Sequence, residues 1–136
     1  MVDIVNIEES TNVLTRGKPV YTLTTDACNT GWGAVIVNHS TRGLWTAEEK
    51  RYHMNYLEIL SVFLGLQAFY HSYQAIHIRL MIDNSTAVAV INHMGTNHSR
   101  PALNRLCKEL WKWCKSRTIW PISAAHIAEN LTYKLI

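Results

Sequence analysis

Aspartate is scarce in this chain. Of ten acidic residues seven are Glu and three are Asp, at positions 3, 26 and 83. Charge of either sign is thin, at 17% against 48% hydrophobic residues, which excludes a disordered, charge-extended chain. Cysteine is limited to Cys28, Cys107 and Cys114, an odd number without a CxxC spacing. That excludes a disulfide framework and fits a reducing compartment. Long apolar runs are lacking too: a membrane helix needs about 18 apolar residues, and the longest apolar region, 57–70, is broken by Glu58, Ser61, Gly65 and Gln67. No membrane association is expected. The N-terminal MVDIVNIEES has no basic segment leading into an apolar one, so no secretory signal is read. The expected location is intracellular, cytoplasmic or nuclear. The Asn-X-Ser/Thr matches at Asn38, Asn84, Asn97 and Asn130 then count as chance.

What is present is enough for one packed domain of 136 residues, without repeats or low-complexity stretches. A net charge of +3 permits a polyanionic partner without demanding one. Residues 1–20 show no clear periodicity and read as a leader or linker before a domain over 21–136. Tyr21–Asp26 is rich in β-branched and aromatic residues and predicts a strand. Gly31–Asn38 predicts a second, and after a turn at His39–Gly43 a short third begins over Leu44–Thr46. Short connections between the three imply an antiparallel meander. From Asn55 to about Ser72 apolar residues cover nearly the whole circumference of a helix, which should be deeply buried. Ile76–Asp83 alternates as a strand. Ser85–Met94 predicts a short helix capped by Asn84 or Ser85. Pro101 opens another that ends near Arg117, and Thr118–Ile127 predicts a last strand at an edge, marked by Pro121. The order βββαβααβ describes one α/β unit, a mixed sheet with packed helices.

The carboxylates follow this pattern. Asp26 ends the first predicted strand and Asp83 the fourth, and a helical crossover would set these strands side by side and parallel. Sites in α/β sheets form at the carboxyl ends of such strands. Glu58 lies in the first turns of the buried helix. Three carboxylates from distant segments could thus meet, an arrangement that is unfavourable without cations; an all-oxygen set favours Mg²⁺ or Mn²⁺ over zinc. Each also has a plainer reading. Asp26 could start a turn, Glu58 stands three after Asn55 as in a capping box, and Asp83 could help cap the following helix.

Thr24-Thr-Asp26-Ala with Gly31-Trp-Gly-Ala34, then Asn55-Tyr-Leu-Glu58, then Ile82-Asp83-Asn84-Ser-Thr-Ala-Val88, then His126-Ile127 before Asn130 resemble, in pattern and order, the ribonuclease H domains. With Gly43-Leu-Trp45-Thr-Ala-Glu-Glu49 and Trp111-Lys-Trp113-Cys114, the chain is most similar to the version that follows the reverse transcriptase of DIRS-type retrotransposons. The resemblance covers about residues 20–131. It implies a mixed five-stranded sheet, three strands antiparallel and two parallel, and a nuclease cutting the RNA strand of RNA–DNA hybrids with two Mg²⁺ (or Mn²⁺) ions. By this resemblance Asp26, Glu58 and Asp83 bind the metals and His126 assists proton transfer or product release. A strand-end histidine without a role is the plainer reading of His126. Asn55, Asn84, Cys28 and Asn29 match substrate-contacting stretches. The reverse transcriptase domain of the same polyprotein is an implied partner. The chain departs from the pattern after His126: Tyr133 or Lys134 stands where the family has a fourth carboxylate, and the family's last helix is missing. The expectation is a truncated copy with impaired activity, or a non-catalytic nucleic-acid-binding or structural remnant of the same fold.

Other patterns are less specific. Arg105, Lys108, Lys112 and Lys115 recur at steps of three and four along one helix. With Trp111 and Trp113 they could meet nucleic-acid backbone or simply form a solvated face. Cys107 and Cys114, two turns apart, read as small hydrophobes. His93 and His98 lack a second ligand pair for zinc.

Overall fold

The computed structural model describes residues 14–15, 18–93 and 100–126. Its strands are β1 (Leu14–Thr15), β2 (Lys18–Ala27), β3 (Gly31–Ile36), β4 (His39–Leu44), β5 (Ile76–Ile82) and β6 (Ile119–His126). Its helices are α1 (Met54–Tyr70), α2 (Ser85–Asn92) and α3 (Pro101–Ser116). Strand order across the sheet is β4-β3-β2-β5-β6, with β1 paired to the start of β2. The β2, β3 and β4 strands run antiparallel; β5 joins β2 in parallel and β6 joins β5 in parallel. This is the expected mixed sheet of three antiparallel and two parallel strands, with three helices. The parallel pairs require crossovers, which α1 supplies between β4 and β5, and α2 with α3 between β5 and β6.

Two boundaries differ from the sequence pattern. The first long strand begins at Lys18 rather than Tyr21, because Lys18 and Pro19 pair back onto Thr15 and Leu14. The third runs over His39–Leu44, where a turn was expected, and stops where the expected Leu44–Thr46 strand would begin. Its residues alternate between half-buried and exposed and include almost no apolar side chain, as suits an edge strand. The true turn is Val37–Asn38, with Asn38 at φ 63°, a left-handed conformation that Asn tolerates.

The α1 helix carries the core. Leu57, Ile59, Val62, Leu66 and Tyr70 are all buried, as its all-round apolarity predicts. It lies against β2 and β3 on one side and α2 and α3 on others. Gly65 lets the helix approach the sheet: an added Cβ would stand 3.0 Å from the Ala34 Cβ and 3.3 Å from the Thr25 Cγ2. Pro101 starts α3, and Leu103, Leu106, Cys107, Leu110 and Cys114 form its buried stripe. Burial pushes the Cys107 and Cys114 thiols up to about 11 and about 12, so both pack as inert small hydrophobes. The readings on Met94, His98, Asn130, Tyr133 and Lys134, with the expected absence of the family's last helix, lie outside the described residues.

Candidate active site

Parallel pairing brings three strand ends level. The last paired residues of β2 and β5 are Thr25 and Ile82, and the next in each chain direction are Asp26 and Asp83. Adjacent strands lie about 4.8 Å apart, so the two carboxylates leave neighbouring positions. On the other side of β5, Ile82 pairs with His126. The His126 backbone therefore reaches the same end of the sheet, one strand beyond Asp83.

Glu58 comes to this end from α1. It is 4% exposed, and its Oε1 has no hydrogen-bond partner. Burial, then the charges of Asp26 and Asp83, push its pKa up to about 8. Burial also raises Asp26 to about 6, with the Asp83 charge adding to it. The Ala27 amide opposes both shifts and donates to Asp26 Oδ1 at 2.9 Å. The three carboxyls are thus within electrostatic reach of one another.

The plainer readings divide. Glu58 does not close a capping box: α1 starts at Met54, and its cap is His53, whose Nδ1 accepts from the Asn55 amide at 3.0 Å. Asp83 is not the cap of α2, because Asn84 Oδ1 accepts from the Ala87 amide at 2.8 Å. Asp26 does have the local turn contact through Ala27.

The residues matched to substrate contact sit around this group. Asn84 Nδ2 donates to Asn55 Oδ1 at 3.1 Å, linking the starts of α1 and α2. Cys28 and Asn29 lie in a tight turn in which the Cys28 amide donates to Gly31 O at 2.8 Å. The buried Trp45 fixes that turn by donating from Nε1 to Cys28 O at 2.8 Å. Burial alone would raise the Cys28 pKa, but hydrogen bonds from the Thr30 side chain and the Thr30 and Gly31 amides outweigh it and lower it. The sequence pattern did not single out Tyr52, Tyr56 or Arg100. They line, with His53 and Asn55, a cavity of about 260 Å³ beside the asparagine pair. The Tyr52 and Tyr56 rings stack at 4.2 Å. Their spacing of four was a signal, masked because Tyr52 precedes the helix.

Residues 17–113 match the family model described as the RNase H-like domain found in reverse transcriptase. The chain belongs to this family. A solved RNase H1 from the halophilic archaeon Halobacterium salinarum NRC-1 shares the fold of this RNase H-like domain at a TM-score of 0.63 and 14% identity. The match covers 85% of this chain and 93% of that one. No curated protein matches.

The RNase H-like domain offers an all-oxygen set to a divalent cation. The buried, partnerless Glu58 oxygen and the mutual strain of the carboxyls fit a cation between them. Among the described residues, however, no three or more His, Cys, Asp and Glu side chains are drawn together tightly enough to hold an ion as they stand. The carboxyls share one end of the sheet but do not close on one point.

Proposed function

We propose that this RNase H-like domain is a metal-dependent endonuclease acting on the RNA strand of RNA–DNA hybrids. The observation that carries this reading is Glu58: a buried carboxyl with an unpartnered oxygen, beside Asp26 and Asp83 at the carboxyl end of the parallel strands. Such a group costs folding energy and is expected where a cation is to be held. Asp26, Glu58 and Asp83 would hold Mg²⁺ or Mn²⁺, which when bound activates water and stabilises the leaving oxygen.

The chain's own groups supply the rest. Asp26 and Glu58 give up protons to become ligands, so cation binding is favoured as pH rises through about 6 and about 8. The linked amides of Asn55 and Asn84 offer donors and acceptors for sugar edges, and a 2′-hydroxyl is what tells RNA from DNA. The Cys28–Gly31 turn presents Asn29 and Thr30, both exposed, beside the carboxylates. His126 has the chemistry for moving a proton near neutrality. Tyr133 or Lys134 stands at the family's fourth acidic position, so we infer weak activity with a raised metal requirement. The same absence, with the unclosed carboxylate group, favours a second reading: a non-catalytic nucleic-acid-binding or structural domain. Within the family the DIRS-type motifs make the reverse transcriptase of the same polyprotein the proposed partner. Among the described residues no helix is long and apolar enough to cross a membrane.

The test is cleavage of a labelled RNA–DNA hybrid in Mg²⁺ or Mn²⁺, with Asp83→Asn as control. The expected result is metal-dependent cutting of the RNA strand, at least about a hundredfold slower in the control, as for loss of a main transition-state stabiliser. Wild-type cleavage no faster than the control sinks the nuclease reading and leaves the second one.

A further inference from the structure

A second concave surface lies at the opposite end of the sheet. It is a cleft of about 640 Å³ between α3 and the start of β6, lined by Lys108, Trp111, Lys112, Lys115, Thr118, Ile119 and Trp120. The strands run from this end toward the carboxylates. Ile119 opens β6 and His126 closes it, so the cleft is about 23 Å from the catalytic end at 3.3 Å per residue.

The lining has two chemistries. Lys108, Trp111, Lys112 and Lys115 fall at steps of three and four and therefore form one stripe of α3. The three lysines are exposed, and Trp120 is 38% exposed, among the few large apolar side chains that face solvent. Trp120 also neighbours the His77 ring at 5.1 Å. Trp113, grouped with this stripe on sequence grounds, points elsewhere: it packs edge-on against Phe63 and takes the Arg117 guanidinium on its face at 4.7 Å. One acid opposes the lysines. Glu109 meets Lys112 at 3.9 Å, with both side chains mostly exposed, so that pair is weak. Helix-pole stabilisation accounts for Lys115 in the last turn of α3 but not for Lys108 and Lys112.

The stripe is continuous with the site. Arg105 precedes Lys108 by three residues on α3 and lies within electrostatic reach of Tyr56, beside the Asn55–Asn84 pair. From Arg105 to Lys115 is about 15 Å along the helix. Cations therefore lead from the catalytic end to the cleft, and the cleft adds aromatic faces to them.

We propose that the α3–β6 cleft binds single-stranded nucleic acid, a base stacking on Trp120 and Trp111 while Lys108, Lys112 and Lys115 take the backbone phosphates. Aromatic platforms beside a cationic groove are the general means of holding a single strand without reading its sequence. In the setting of the hybrid-nuclease reading, on which this rests only in that the chain meets nucleic acid, the occupant is a strand continuing past the hybrid.

The test is fluorescence anisotropy with a labelled oligodeoxythymidine of about twelve nucleotides, within the usual site-size range, across a salt series. The full chain is compared with Trp120→Ala, Trp120→Phe and a triple Lys108→Gln, Lys112→Gln, Lys115→Gln variant. Trp120→Ala should bind about tenfold to a hundredfold more weakly with an unchanged salt slope, and Trp120→Phe should recover most of the loss. The triple variant should flatten the slope of log affinity against log salt by about 2, from roughly 0.7 per phosphate contact. No binding of the oligonucleotide, or a Trp120→Ala variant that binds like wild type, overturns the proposal; the latter reduces the stripe to an unspecific cationic surface. Because the substituted side chains are exposed, circular dichroism should show all variants folded. If hybrid cleavage fails while these losses appear, the nuclease reading falls and the cleft stands; cleavage with no effect of the cleft variants on oligonucleotide binding is the reverse case.

Discussion

Glu58 works against the fold that holds it. Its pKa rises from 4.5 to about 8 chiefly through burial, and that of Asp26 from 3.8 to about 6 for the same leading reason. The folded state thus binds these protons more tightly than the unfolded chain. Their stabilising contribution is complete below the unfolded values and is lost as pH rises through about 6 for Asp26 and about 8 for Glu58. Without divalent cations, the melting temperature should fall between pH 5 and pH 9. Glu58→Gln, which keeps the shape and removes the charge, should melt several degrees higher than wild type at pH 9 and level with it near pH 4. Thermal melts in chelator across that range check this, and parallel profiles for the two proteins would refute it. The sequence marked Glu58 through Asn55-Tyr-Leu-Glu58, but its spacing from Asn55 equally fitted a capping box. Only the fold separates the readings, because His53 supplies the cap and leaves the Glu58 oxygen without one. Trp45 entered the sequence pattern only as part of a family motif, without a structural task; it closes the Cys28–Gly31 turn through its indole. Trp45→Phe should cost about 1 kcal/mol in urea unfolding, from the loss of the hydrogen bond to the half-buried Cys28 carbonyl.

At the scale of elements, the helix–sheet spacing is set at Gly65. The Cβ that a larger residue brings there meets the Ala34 Cβ at 3.0 Å, and a side chain rooted in a strand cannot swing aside. Gly65→Val should therefore destabilise by about 2 kcal/mol or more, since overpacking exceeds the gain in helix propensity over Gly. Chemical denaturation measures the loss, and a neutral result would show that α1 can lift from β2 and β3 freely. Elements with a strong apolar signal were legible before the structure: α3 and β5 through their periodicity and α1 through its all-round apolarity, each within two residues of expectation. The β4 strand was not, because His39-Ser-Thr-Arg-Gly-Leu44 buries too little apolar surface to show a period and its turn is a left-handed Asn38 rather than a glycine. The start of β2 was also hidden, since its hairpin with Leu14–Thr15 is recorded in backbone pairing rather than in side-chain pattern. The cleft between α3 and β6 was half legible. The lysine stripe could be read from spacing, but Trp120 joins it only because the chain reverses after Arg117, with Thr118 at φ 54°.

For the molecule as a whole, parallel register decides which scattered residues become neighbours. Asp26 and Asp83 are 57 positions apart in sequence and one step past a paired rung in space. The chain order of motifs thus foretold the shared sheet end, but spacing alone carries no side-chain direction, and the three carboxyls stop short of a closed ligand set. A cation that draws them together binds the folded chain and not the unfolded one, so it must stabilise the whole domain by mass action. At a Mg²⁺ or Mn²⁺ concentration about ten times the dissociation constant, the gain is about 1.4 kcal/mol, a rise of roughly 3–6 °C for a domain of this size. The rise should be larger at pH 8 than at pH 5.5, where Glu58 and part of Asp26 keep their protons and compete with the metal. It should shrink in Asp83→Asn and in Glu58→Gln, although the latter starts from a higher melting temperature at pH 8. Calcium, with longer bonds and more ligands, should serve as a control for general screening. Equal stabilisation of wild type and both variants by Mg²⁺ would mean that the ion acts on surface charge and that no site forms at the sheet end.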